Sequence, residues 1–290
     1  MRSRPFLAFA RLAALAGLTV RGGAHADDWS FIDNGELKLG VRRDRGASIS
    51  WLSESGSERN VLNHWDTGRC VQQSYYGETD GSEWAGRPWK WNPVQGGHYQ
   101  GSPARVLAFE VKGTSLYSKT LPKHWATGAE IPEVEMEQWI ELAGKSAHVR
   151  FRMTYRGTLA HPSTDQEIPA VFLDASLANL VFYRGDAPWT DAPLTRVVPG
   201  WPNQEQHFDE HWAAYVDDKE WGLGIFNAAT KRATTYRYLP KDAPHEALCS
   251  YLAPLANFAV TPGFVFEYGI YLRLGTVAEI RSAFSRLPRK

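Results

Sequence analysis

The chain has 290 residues, 43% of them hydrophobic, with 32 Lys+Arg against 32 Asp+Glu, two cysteines and 12 tryptophans. Formal neutrality leaves no basic field for a phosphate backbone, so nucleic acid is excluded as the expected partner. The apolar fraction is enough for a full core and excludes a disordered chain.

The N-terminus reads as a targeting segment. Arg2 and Arg4 precede a mostly apolar run over residues 6–20, and Ala24-His25-Ala26 places small residues where a signal peptidase cuts. Residues 1–26 are therefore expected to be a signal peptide, leaving 27–290 as a single β-sandwich domain in a secreted or periplasmic protein. The apolar run falls short of the ~20 residues that cross a bilayer. No later segment is long and apolar enough either, so no membrane span is expected after cleavage. Loss of Arg2, Arg4, Arg11 and Arg21 makes the mature chain mildly acidic. Export would permit a disulfide between Cys70 and Cys249, with two separately buried thiols as the alternative.

Beyond the leader, the period is that of strands. Leu37, Leu39 and Val41 alternate with polar neighbours after the turn pair Asn34-Gly35. Met136, Gln138, Ile140 and Leu142 oppose Glu135, Glu137, Trp139 and Glu141, and Val149, Phe151, Met153 and Tyr155 continue the alternation. Residues 212–216 and 221–226 flank a polar turn as a hairpin, and 265–274 form a strand after Pro262-Gly263. Only the tail predicts a helix, with Thr276 as cap, Glu279 three residues on, and Ile280, Ala283 and Phe284 on one face. Helices alternating with strands are missing, so the class is all-β, a large antiparallel sandwich with a short C-terminal helix.

Aromatic residues concentrate early. Trp51, Trp65, Trp84, Trp89 and Trp91 lie near Tyr75, Tyr76 and Tyr99, and residues 77–101 have little periodicity, which predicts a long loop. Indole faces stack on the C–H faces of sugars, and Asp66, Arg69, Gln72, Gln73, Asn92, Gln95 and His98 supply hydroxyl partners. The expected partner is an oligo- or polysaccharide; the alternative is that the rings plug the end of the core.

Three segments resemble the galactose mutarotase-like β-supersandwich superfamily. They are the opening 34–41 with Gly46-Ala47-Ser48-Ile49, then Gly68-Arg69 followed by Gln72, and the closing Pro262-Gly263 turn with its long final strand. The resemblance implies a supersandwich fold and sugar-hydroxyl contacts at Arg69 and Gln72. Aldose epimerases of the superfamily carry a catalytic glutamate before the final turn. Here residues 248–254 have no carboxylate, and the family's His pair is not recognisable around 172–183, so mutarotation is not implied. The runs Asp66-Thr67-Gly68-Arg69, Gln72-Gln73-Ser74-Tyr75-Tyr76, Trp91-Asn92-Pro93-Val94-Gln95-Gly96-Gly97 and Gln166-Glu167-Ile168-Pro169-Ala170 are similar to an uncharacterised secreted group, which implies no reaction.

Glycoside hydrolysis needs a carboxylic acid to protonate the leaving oxygen and a second carboxylate to attack or activate water. Glu167, beside Ile168-Pro169, is expected at a strand mouth as the acid, with Glu137 and His98 as the other catalytic candidates; Asp66, Glu135 and Glu210 complete the carboxylates considered. A polysaccharide lyase would instead use Arg69 or Gln73 with Tyr75 or His98. The substrate-binding set is Asp66, Arg69, Gln73, Tyr75, Trp91, Asn92, Gln95, Glu210 and Trp212. The run His207-Phe208-Asp209-Glu210-His211 fits H-x-x-E-H, but on a strand its histidines stand about 13 Å apart, so no metal is expected. No P-loop, G-x-G-x-x-G or G-x-S-x-G motif is present, so no cofactor is expected. A glycoside-cleaving enzyme is the leading reading, and a non-catalytic lectin-like protein is the rival.

Overall fold

The computed structural model describes residues 28–288. The expected signal peptide, residues 1–26, lies outside the described residues. Two large antiparallel sheets face one another, as the alternation predicts. The ten-stranded sheet contains β1 (Trp29–Asp33), β2 (Leu37–Arg42), β3 (Ser48–Glu54), β4 (Val71–Ser74), β7 (Pro93–Val94) and β10 (Lys123–His124), with β13 (His161–Asp174), β16 (Gln204–His207), β19 (Arg232–Tyr238) and β20 (Cys249–Val260). The nine-stranded sheet contains β8 (Arg105–Lys112), β9 (Ser115–Leu121), β11 (Val134–Ala143), β12 (Ser146–Tyr155) and β14 (Asn179–Phe182), with β15 (Thr195–Val197), β17 (Trp212–Val216), β18 (Trp221–Phe226) and β21 (Val265–Thr276). β5 (Thr79–Trp84) and β6 (Arg87–Lys90) pair only with each other.

Period-2 patterning explains the layers. In β11 the buried positions are Val134, Met136, Gln138, Ile140 and Leu142, and the intervening residues face outward. Their apolar side chains meet Leu37, Leu39, Val41, Ile168, Val171 and Leu173 from the other sheet in one core. Two polar side chains, Gln73 and Gln138, cross this core and bond backbone carbonyls of Glu137 and Ala47. They link the two sheets with directional bonds that apolar packing does not supply.

The one α-helix among the described residues, α1 (Val277–Phe284), has the expected capping box between Thr276 and Glu279. It lies on the outer face of the nine-stranded sheet and buries Val277, Ile280 and Phe284 against Trp212, Ala214 and Phe226. Gly224 permits this approach, because a Cβ there would sit 2.4 Å from Ile280 Cγ2. The cysteines are free and buried, so the disulfide alternative is not the one adopted. Cys70 Sγ lies 3.3 Å from Ser50 Oγ.

Candidate functional site

Four neighbouring strands, in the order β4-β13-β20-β19, present their outward side chains to a cleft of about 460 Å³ on the outer face of the ten-stranded sheet. Its floor is a row of rings on successive strands: Phe172 is directly opposite Tyr251, and Tyr251 directly opposite Tyr236. Their centroids are 4.5 and 4.4 Å apart, the spacing at which cross-strand aromatic pairs stabilise a sheet.

Glu167 enters from the same floor. The register between β13 and both its neighbours shifts between Glu167 and Ala170 or Val171. This bulge changes which face successive residues take, so Glu167 and Ala170, three positions apart, both line the cleft while Ile168 and Val171 point into the core. Glu167 thus stands inside a 14-residue strand, where sequence reasoning expects a strand mouth.

The walls come from distant segments. Trp84 and Trp89 belong to the β5-β6 hairpin, where a long loop is expected from sequence, and their rings meet at 4.8 Å. Trp125 follows β10 and touches Trp84 at 5.9 Å. The outer edge of its indole closes on Gly68, where a Cβ would sit 2.2 Å from the ring. The hairpin is tied to β10 by His124 Nε2, 2.7 Å from Asp80 Oδ2, while His124 Nδ1 accepts from the Ala126 N–H at 3.1 Å. On the opposite side Trp201 packs edge-on against Tyr236 and Tyr238 at 4.9 and 5.1 Å.

The polar groups divide into committed and reactive ones. Asp66 receives the guanidinium of Arg69 and the N–H groups of Gly68 and Arg69. Arg69 also donates to the Ala247 carbonyl. Gln72 is held by the Thr67 and Arg69 carbonyls and the Gly96 N–H. Asn92 donates to Ser74 Oγ and the Tyr75 carbonyl and accepts from Trp89 Nε1. Glu167 is different. Tyr76 donates to its Oε2 at 2.9 Å. Burial among the rings pushes its carboxyl above the usual range, and the hydrogen bonds of Tyr251 and Tyr76 and the charge of Lys90 offset only part of that. Burial also holds the phenols of Tyr76, Tyr236 and Tyr251 well above their ordinary value, so they stay protonated donors at neutral pH.

Of the sequence-predicted residues, the cleft brings together Glu167, Asp66, Arg69, Gln72 and Asn92, with Tyr76, Trp84 and Trp89 of the aromatic cluster. The others lie elsewhere, each for a packing reason. Gln73 and Tyr75 share the inward face of β4 and its extension; the Tyr75 hydroxyl donates to Gln73 Oε1 and the ring is fully buried. Their neighbours Gln72 and Tyr76 are the ones that face the cleft. Gln95 is buried between the Gln73 N–H and the Gly46 carbonyl. Trp91 stacks on His161 at 4.0 Å. His98 is buried 3.3 Å from the Ala126 carbonyl, outside the cleft.

Glu137 faces outward from the other sheet, accepting from Tyr117 at 2.6 Å and pairing with Arg152 at 3.7 Å. Glu135 on the same face pairs with Lys119 and Arg156. Glu210 and Trp212 are fully buried beneath α1. The carboxylate accepts from Arg281 at 2.6 and 3.0 Å, from Trp212 Nε1 at 2.8 Å and from the Trp189 N–H at 2.5 Å. The H-x-x-E-H run is the end of β16 followed by a turn with His211 at φ +60°. Among the described residues no group of three or more His, Cys, Asp or Glu can hold a metal, and no helix is long and apolar enough to cross a membrane.

Sequence reasoning missed Trp125, Trp201, Asn203, Tyr236, Tyr238 and Tyr251. A Trp or Tyr at alternate positions of a strand, as at Tyr236 and Tyr238, is the signal they offer.

No protein-family model matches the sequence, and no curated protein matches it. Solved structures match at low identity. A galactose mutarotase-like protein from Lactobacillus casei ATCC 334 is 12% identical with a TM-score of 0.56, over 85% of this chain and 100% of that one. A galactose mutarotase related enzyme from Lactobacillus acidophilus is 11% identical with a TM-score of 0.53, over 86% and 97%. A 4-alpha-glucanotransferase from Thermococcus litoralis is 13% identical with a TM-score of 0.52, over 84% of this chain and 37% of that one.

Proposed function

The chain has the galactose mutarotase-like fold, and from that premise we propose that its aromatic cleft binds a saccharide whose glycosidic bond is cleaved with Glu167 as general acid. The observation that carries this reading is Glu167 itself: a carboxyl that burial pushes above the usual range, hydrogen-bonded to Tyr76 and Tyr251, on a floor of stacked rings. An upward shift lets a carboxyl hold its proton to higher pH, and a protonated carboxyl donates to a bridging oxygen. In the step, the Glu167 proton goes to the leaving oxygen and the bond from that oxygen to the anomeric carbon breaks. Water then bonds that carbon, and its proton returns to Glu167. Elimination fits less well, since the cleft's buried phenols are held protonated and His98 is elsewhere.

A second reading, saccharide binding without turnover, is favoured by one observation. Asp66, the other carboxylate lining the cleft, is consumed by Arg69 and two backbone N–H groups, and so is not placed as a nucleophile. Screening against a polysaccharide panel, following both reducing ends and unsaturated products, separates the two. Cleavage predicts new reducing ends that vanish in Glu167→Gln while binding persists; full activity in that variant removes Glu167 from the role. The leader-like residues 1–26 support export, which N-terminal sequencing of the mature protein from the secreted or periplasmic fraction tests.

A further inference from the structure

Resting on the saccharide reading above, we infer that the cleft holds an internal stretch of a neutral glycan chain, with sugar residues seated on both sides of Glu167, rather than one pyranose. The two tryptophan walls stand at opposite edges of the four-strand floor. Trp125 closes on Gly68, in the loop that leads into β4. Trp201 is braced by Tyr236 and Tyr238 of β19. β4 and β19 are three strand spacings apart, about 14 Å. Glu167, on β13, stands between them. A pyranose ring is little wider than one strand spacing, so a single sugar within reach of Glu167 leaves at least one wall bare. Two or three linked rings laid across the strands reach both, over the continuous row Phe172, Tyr251, Tyr236. At the β19 margin the groove opens to solvent, since Trp201 is 59% exposed, so the chain has room to run on.

The charge of the lining selects a neutral chain. Its ionisable side chains of opposite sign, Asp66 and Arg69, are closed on each other, and Arg69 spends a further donor on the Ala247 carbonyl. The guanidinium is therefore already matched, and the nearby cation Lys90 sits over the rings of Tyr76 and Trp89, with its charge acting on the Glu167 carboxyl. Glu167 is a hydrogen-bond donor to a hydroxyl or bridging oxygen when protonated and repels an acidic sugar when ionised.

Calorimetric titration of the Glu167→Gln protein, which preserves the side chain's shape and stops turnover, tests the inference. The probes are cello- and malto-oligosaccharides of one to four residues, with oligogalacturonides of equal length as the charged counterpart. In the series that binds, affinity is expected to rise about tenfold with each additional stacked ring up to three and then level off. Adding Trp201→Ala, a change at an exposed ring that leaves the core untouched, is expected to erase the gain from chain length. Glucose binding as tightly as the trisaccharide, a length gain untouched by Trp201→Ala, or galacturonides binding more tightly than neutral chains overturns the inference while leaving the saccharide reading in place. Binding by none of the probes removes the saccharide reading and the inference with it.

Discussion

Replacing Glu210 by alanine tests whether this carboxylate is a structural anchor or part of a sugar site. It is completely buried and accepts four hydrogen bonds, two of them from Arg281, whose side chain is 16% exposed. Its removal strands a guanidinium under α1 and leaves the Trp212 indole N–H and the Trp189 amide without their acceptor. Breaking a buried pair by deleting one partner costs about 3–5 kcal/mol, because the surviving charge stays desolvated. The partial exposure of Arg281 lets water reach it and puts the expected loss near the low end. For a domain of this size each kcal/mol moves the melting temperature by roughly 2–4 °C, so a fall of about 6–12 °C is expected. Differential scanning calorimetry of Glu210→Ala, Arg281→Ala and the double variant measures both the fall and the coupling. The double variant is expected to lose less than the sum of the singles. A Glu210→Ala protein that melts within about 2 °C of the parent refutes the anchor argument, as does one that keeps its stability and loses saccharide binding.

Two further outcomes follow from the cleft. Burial raises the Glu167 carboxyl, so between the ordinary carboxylate value and its own the unfolded chain releases a proton that the native state keeps. Native stability therefore falls as pH rises through that window. Glu167→Gln escapes the loss: it is expected to melt above the parent at neutral pH and to match it below about pH 4, where both states of the parent are protonated. A melting difference that does not change with pH contradicts the assigned burial. Gly68→Ala places a methyl 2.2 Å from the Trp125 ring and must push it out of the wall. Because Trp125 is only half-buried, the expected result is at least a tenfold loss of saccharide affinity, the worth of about one stacked ring face, with little change in melting temperature. Equal affinity in that variant removes Trp125 from the wall.

The sandwich was legible because its strands alternate cleanly, and β11, β17, β18 and β21 stand where the alternation puts them. Within the site, legibility stopped at doublets. Gln72-Gln73 and Tyr75-Tyr76 each pair two residues of one type, so alternation cannot tell which member faces out; both glutamines were expected as hydroxyl partners, and the inward Gln73 and Tyr75 were the ones placed in the binding set. The strands β5 and β6 escaped notice because most of their residues are exposed and carry no apolar alternation. Trp201, Tyr236 and Tyr251 are far from the tryptophan-rich segment in sequence. Only the adjacency of β13, β20 and β19 brings them to Glu167, and pairing order is a long-range property that no local window holds. Glu210 was misjudged for a related reason: the cation that neutralises it, Arg281, sits on a helix 71 residues later.

The strands of the β5-β6 hairpin pair with no strand of either large sheet, and the hairpin meets the body through a few side-chain anchors, among them the Asp80–His124 contact. A span of a dozen residues, 79–90, therefore decides the shape of one rim while contributing little to the interior. It behaves as an exchangeable cassette. Lengthening it, shortening it or swapping its indoles is expected to reshape that rim while leaving the packing between the two large sheets in place.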